Sequence, residues 1–238
     1  MRYEFDPRFT EQLLAKPDHR FTPAEEFAFV FDKAPRFAAG EGFEYSDTNF
    51  VQLAVVMEKI TRRACYDEIA ARFLTPLQLT HTRPSVGRRI DGLLQSYAGA
   101  DNPFGKRDAM LVDGALPFDA GFEGAGGGFA TTASDLARWA KALYGGDVLG
   151  AMQAATIDGQ PAPLGQDARY GLGCIISSTP LGKAYGHRGF FPGSLSEMRW
   201  YPDAKLAVAV LVNSSADRKL ARALPQWADD FAHIASER

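Results

Sequence analysis

The chain has 238 residues, 46% of them hydrophobic, 12% aromatic and 23% charged. Its 26 Lys and Arg against 29 Asp and Glu leave a net charge of −3, which argues against a nucleic-acid binder with its basic face. Length and apolar content suffice for one large domain or two small ones without a disulfide framework, and the longest apolar run, Leu206 to Val212, is too short to cross a bilayer.

Two cysteines, Cys65 and Cys174, read as small buried apolar residues, and sequence alone does not decide whether they bridge. No leader-like apolar stretch follows Met1, so the compartment stays open.

In chain order, the first clear element starts at Thr22-Pro23-Ala24-Glu25, a capping box with Pro at the first helical position. Its helix, carrying Phe27, Phe29, Val30 and Phe31, should stop before Ala34-Pro35. A glycine-containing loop, residues 37–49, then feeds a helix whose apolar face is Phe50, Leu53, Ala54, Met57 and Ile60. A further helix runs from Cys65 to Phe73 and ends near Pro76, and Arg83 to Gly128 reads as mostly loops.

Order returns at Thr132, an N-cap with Asp135 in the first turn of a helix striped by Leu136, Trp139, Ala140 and Leu143. Gly145-Gly146 ends it. Strands follow at 172–176, 183–189, 195–201 and 206–212, with a hairpin turn at Pro202-Asp203-Ala204-Lys205. A last helix should pack on that sheet through Leu224, Trp227, Phe231 and Ile234. Helices first and an antiparallel sheet later give an α+β fold, with a mostly helical region at 1–165 and a sheet plus terminal helix at 166–238.

Three stretches carry the chemistry. Tyr45-Ser46-Asp47-Thr48-Asn49 precedes an amphipathic helix, Gly126-Gly127-Gly128 turns into the Thr132-capped helix, and Gly186-His187-Arg188-Gly189-Phe190 ends a strand. With Pro76-Leu77-Gln78-Leu79-Thr80-His81-Thr82, Tyr170-Gly171-Leu172-Gly173 and Val212-Asn213, in this order, they resemble the serine β-lactamase and D-alanyl-D-alanine carboxypeptidase family. The class C-like and esterase branches match best, from about Phe21 onward.

That resemblance implies a β-lactamase/transpeptidase-like fold and acyl transfer through a serine of Ser-x-x-Lys, with no cofactor or metal. It implies small ester, amide or peptide substrates. Tyr45 would relay a proton between nucleophile and leaving group, aided by a nearby cation. Asp47 stands where the family carries Asn. An ionised carboxylate accepts hydrogen bonds but does not donate, which disfavours β-lactam turnover.

His187-Arg188-Gly189 matches His-x-Gly: alternation puts His187 and Gly189 on one face and Arg188 on the other. Gly189 would let substrate approach the backbone, and the Phe190 N–H would be one oxyanion donor. A histidine, mostly neutral at pH 7, grips a carboxylate more weakly than lysine, so esters or small amides suit this edge better than peptidoglycan stems.

No Ser or Thr in the 238 residues has Lys three places on, and Ser215-Ala216-Asp217-Arg218 offers an arginine that cannot act as base. The expectation is a hydrolase whose nucleophile segment, first helix and first strands lie upstream of Met1, leaving this chain inactive, with an exposed apolar patch that favours self-association. The competing reading is a catalytically dead binding protein of the same fold. Taken singly the residues have plainer roles: Tyr45 as packing, Asp47 or Ser46 as a helix cap, His187 as a satisfied histidine, and the three glycines as turn packing. An α/β-hydrolase lacks its Gly-x-Ser-x-Gly elbow here, and a zinc hydrolase its His-Glu-x-x-His.

Overall fold

The computed structural model describes residues 2–146 and 148–237. The chain folds as two compact units, one formed by Met1–Pro76 with Thr82–Ala130 and the other by Leu77–His81 with Thr131–Arg238.

The first unit begins with helix α1 (Pro7–Ala15), ahead of the first element expected from sequence; Asp6 caps it by accepting the Arg8 N–H, and Pro7 occupies the first turn. Phe9 is fully buried at the centre of an aromatic nest, with ring centroids of Tyr3, Phe21, Phe29 and Phe122 at 5.0, 5.0, 5.6 and 5.4 Å. All four contacts are edge-on, the geometry the ring quadrupoles favour. Helix α2 (Pro23–Phe27) starts with the expected capping box between Thr22 and Glu25 and is shorter than expected, passing into turns after Phe27.

Helix α3 (Asp47–Thr61) buries Thr48 and Val51. Of the apolar face expected to be its core side, Phe50, Ala54 and Met57 are half-buried, whereas Leu53 and Ile60 turn outward, 63% and 76% exposed, with Val56 beside them at 54%. Helix α4 (Cys65–Ile69) continues as a π turn to Leu74. The stretch to residue 128 is mostly loop, with a 3-10 run over Ala120–Gly126 and a small antiparallel pair of β1 (Arg83–Pro84) and β2 (Phe129–Ala130).

The second unit is a sheet between two helices. Helix α5 (Ala133–Gly145) is capped by Thr132, whose hydroxyl accepts the Asp135 N–H. The carboxylate of Asp135, 1% exposed, accepts the His81 N–H at 2.8 Å and so ties residues 77–81 to this unit. A short helix α6 (Gln153–Ile157) leads to six antiparallel strands in sequential order: β3 (Gln160–Pro161), β4 (Arg169–Tyr170), β5 (Ile175–Thr179), β6 (Gly182–Phe191), β7 (Ser194–Tyr201) and β8 (Leu206–Val212). The β7–β8 turn falls on 202–205, with Lys205 at φ 54°.

Strand alternation splits β7. Met198 and Trp200 join Ala140 and Tyr144 of α5, whereas Leu195 and Tyr201 pack toward helix α7 (Arg218–Ser236). Gly145 is required where α5 meets Trp200, because a Cβ there would run into the indole. Helix α7 meets the sheet through Leu224, Ala228 and Ala232, while Trp227, Phe231 and Ile234 are 36%, 53% and 52% exposed, contrary to expectation for three of its four apolar positions. The rotation follows from polar residues on that sheet face. Asp229 Oδ1 accepts from Arg199 Nη1 and from the Tyr201 hydroxyl, both at 2.7 Å, and Arg199 Nε donates to Glu197 at 2.7 Å. Among the described residues, no helix is long and apolar enough to cross a membrane.

Candidate active site

Tyr45 and Asp47 lie in the first unit, at the entry to α3. Ser46 occupies the N-cap position but its hydroxyl makes no capping bond, and Asp47 is already the first helical residue, so neither side chain is spent as the expected cap. Instead the Asp47 carboxylate is hydrogen-bonded by the Tyr45 side chain, and the Tyr45 ring rests on Phe50 at 5.8 Å.

Asp47 titrates at about 6, raised from 3.8 by burial and further by the charge of Glu4, with the Tyr45 hydrogen bond and Arg2 opposing. The glycine turn is built against it: a Cβ on Gly126 would lie 3.0 Å from that of Asp47. Gly128 is equally constrained, since its Cβ would come within 2.5 Å of the Tyr66 hydroxyl, which donates toward the Gly124 and Gly128 carbonyls at 3.2 and 3.1 Å. Turn packing is thus what the glycine run does.

Behind Asp47 stand carboxyl groups that the sequence did not single out. Burial raises Glu123 to about 8, with the charges of Asp47 and Glu4 adding. Glu26, 3% exposed, is raised to about 9 by burial and by Glu123. Burying carboxyl groups together forces protons onto them. Positions 4, 26, 47 and 123 share no spacing that could have announced the cluster.

His187, Gly189 and Phe190 lie in the second unit on β6, opposite Met198, Ser196 and Leu195 of β7. The expected alternation holds. Arg188 turns to the opposite face, with Nε 3.7 Å from Glu197. Gly189 has a local reason to be glycine, because a Cβ would collide with Ser196 Oγ. Strand β5 pairs with β6 only as far as Gly186, which stands opposite Ile175. Two-residue alternation then turns the Phe190 N–H toward the same edge, beyond the end of β5, where a substrate oxygen could accept it.

The His187 ring is held at both nitrogens, by the Arg188 carbonyl at 2.8 Å and the Tyr170 hydroxyl at 3.1 Å. Burial lowers its proton affinity, the Arg188 carbonyl opposes that, and the Arg188 charge lowers it further. Tyr170 was legible in sequence only as part of Tyr-Gly-Leu-Gly. Cys65 and Cys174 are both free thiols, and Cys174 is fully buried.

The folded chain is similar to a D-stereospecific amidohydrolase from Streptomyces sp., with TM-score 0.79, 24% identity and coverage of 93% of this chain and 67% of that one. A D-amino acid amidase from Ochrobactrum anthropi SV3 gives TM-score 0.78 and 21% identity over 96% of this chain and 69% of that one. An octameric penicillin-binding protein homologue from Pyrococcus abyssi gives 0.73 and 22% over 98% and 52%. By sequence, penicillin-binding protein 4* of Bacillus subtilis (strain 168) is 27% identical over a 204-residue alignment that covers 81% of this chain and 44% of that protein. The chain thus spans less than half the length of this relative. The Beta-lactamase family model matches residues 1–232. With the family model matched over nearly the whole chain, the chain, similar in sequence to penicillin-binding protein 4*, belongs to the beta-lactamase family.

Proposed function

We propose that the chain carries the proton-relaying and substrate-holding parts of a serine hydrolase that acts by acyl transfer on esters or small amides, and that it is inactive without a Ser-x-x-Lys segment from outside these 238 residues. The observation that carries this reading is the placement of Tyr45 beside Asp47 at the entry to α3, where the Tyr45 side chain favours the ionised Asp47 carboxylate against its burial. It orients a phenol beside a group able to take up or release a proton near neutral pH, as a relay requires.

In this role Tyr45 passes the proton from the nucleophile to the leaving group, and Asp47 orients it. On the strand edge, Gly189 admits the acyl chain and the Phe190 N–H receives the developing oxyanion. His187 forms a wall of that edge, because both its ring nitrogens are engaged. The names of the structural relatives, an amidohydrolase and a D-amino acid amidase, support small amides over β-lactams. The catalytically silent alternative is favoured by one fact, the lack of Lys three places after any Ser or Thr.

Incubation with a nitrophenyl ester, D-phenylalanine amide and a chromogenic cephalosporin separates these readings. The chain alone is expected to turn over none of them and to take no fluorophosphonate on any serine. The protein extended to include an upstream Ser-x-x-Lys is expected to hydrolyse ester or amide, with Tyr45→Phe lowering kcat by about 100-fold or more. A labelled serine within the 238 residues would overturn the proposal, and silence of the extended protein would leave the binding-protein reading.

A further inference from the structure

Tyr170 closes β4, and the sheet register sets it across Ile175 from Gly186, one residue from His187. Its hydroxyl stands 3.1 Å from His187 Nε2, with the rings edge to face at 5.8 Å and 76°. On the ring's other side, Nδ1 lies 2.8 Å from the Arg188 carbonyl oxygen. A carbonyl only accepts, so Nδ1 must carry hydrogen. In the neutral ring the remaining lone pair is on Nε2, and the phenol donates to it.

We infer that Tyr170 is a positioning residue for the acyl-transfer site: by donating to Nε2 it fixes the plane of His187 and holds it as the neutral Nδ1–H tautomer, making this strand edge an uncharged one for substrates that bring no carboxylate to it. The inference rests on the reading of that edge given above. A protonated His187 would present an N–H to Tyr170, which would have to turn its own hydrogen away, so the pair resists charging. Burial of the ring acts in the same direction. Arg188 from its own strand and Tyr170 from β4 bear on the ring's charge; β7 sets Met198, which does not titrate, opposite it. An unconstrained histidine would carry a partial charge near pH 6.5 and attract carboxylates.

Long-range proton–nitrogen correlation spectra of the nitrogen-15-labelled chain test this, the His187 signals being assigned by their loss in His187→Gln. From pH 8 to pH 6 the unmodified chain is expected to show Nδ1 protonated and Nε2 bare but hydrogen-bonded. In Tyr170→Phe the Nε2 resonance should move to that of an unbonded ring nitrogen. The titration midpoint should rise by about 0.7 pH unit, what one ordinary hydrogen bond to the neutral ring is worth. An Nε2–H tautomer in the unmodified chain overturns the inference, and that arm needs no folded variant. So does a Tyr170→Phe chain, folded by circular dichroism, whose Nε2 shift and midpoint stay put. None of these readouts needs turnover, so failure of the hydrolase reading and failure of this one are separately visible.

Discussion

We place Asp47 where the family resemblance puts an asparagine, and its surroundings make that difference matter. A protonated carboxyl both donates and accepts, so below pH about 6 Asp47 has the donor-and-acceptor repertoire of an asparagine. Its folded pKa lies above the ordinary 3.8, so folding favours the protonated form: the stabilisation is complete below pH about 4 and is lost as pH rises through 6. Glu123 and Glu26, at about 8 and 9, extend the loss into the alkaline range. Asp47→Asn is therefore expected to stabilise the chain at pH 8 by about 2 kcal/mol, discounted for partial exposure, and to make no such difference at pH 4. Thermal melts at the two pH values check this, and equal shifts at both would refute the linkage. The candidate site residues could be proposed from sequence because Tyr-x-Asp and His-x-Gly are short local motifs. The carboxyl cluster could not, because it is assembled only by folding.

Among the elements, α5 and the β7–β8 hairpin were legible because their signals are local: Thr132 three residues before Asp135, and a Pro-Asp turn between apolar runs. The Asp6-Pro7 start of α1 is a local signal of the same kind. The face of α7 was not legible, since two alanines and an aspartate outrank three larger apolar residues at the interface. What decides is the ionic network beneath, with Arg199 and Glu197 only 5% and 4% exposed. Arg199→Met should destabilise the second unit by about 3 kcal/mol, because it leaves Glu197 and Asp229 without their buried cation. Phe231→Ser, on the exposed flank, should change stability by no more than about 0.5 kcal/mol. Urea unfolding followed by tryptophan fluorescence compares the two, and a larger loss from Phe231→Ser would reverse this assignment of the helix face.

At the scale of the whole molecule, the outward face of α3 is the feature at odds with a solitary soluble chain. Leu53, Val56 and Ile60 recur at helical spacing and are more than half exposed, a row that elsewhere would be core. The chain is expected to bind a hydrophobic dye and to associate with itself in a concentration-dependent way, and Leu53→Glu with Ile60→Glu should abolish both. Sedimentation velocity checks this: a monomer at all concentrations that binds no dye would show that the face is tolerated in water.

The thiols record this architecture in a form chemistry can address. Each compact unit holds one cysteine, Cys65 in the first and Cys174 in the second. Cys174 has no surface exposure, and burial pushes its thiol up to about 11, against the Gly186 N–H that favours the thiolate. At neutral pH it therefore offers an alkylating reagent neither access nor the reactive anion. Modification of Cys174 has to wait for the sheet to come away from α5, so its rate times the opening of that half of the chain.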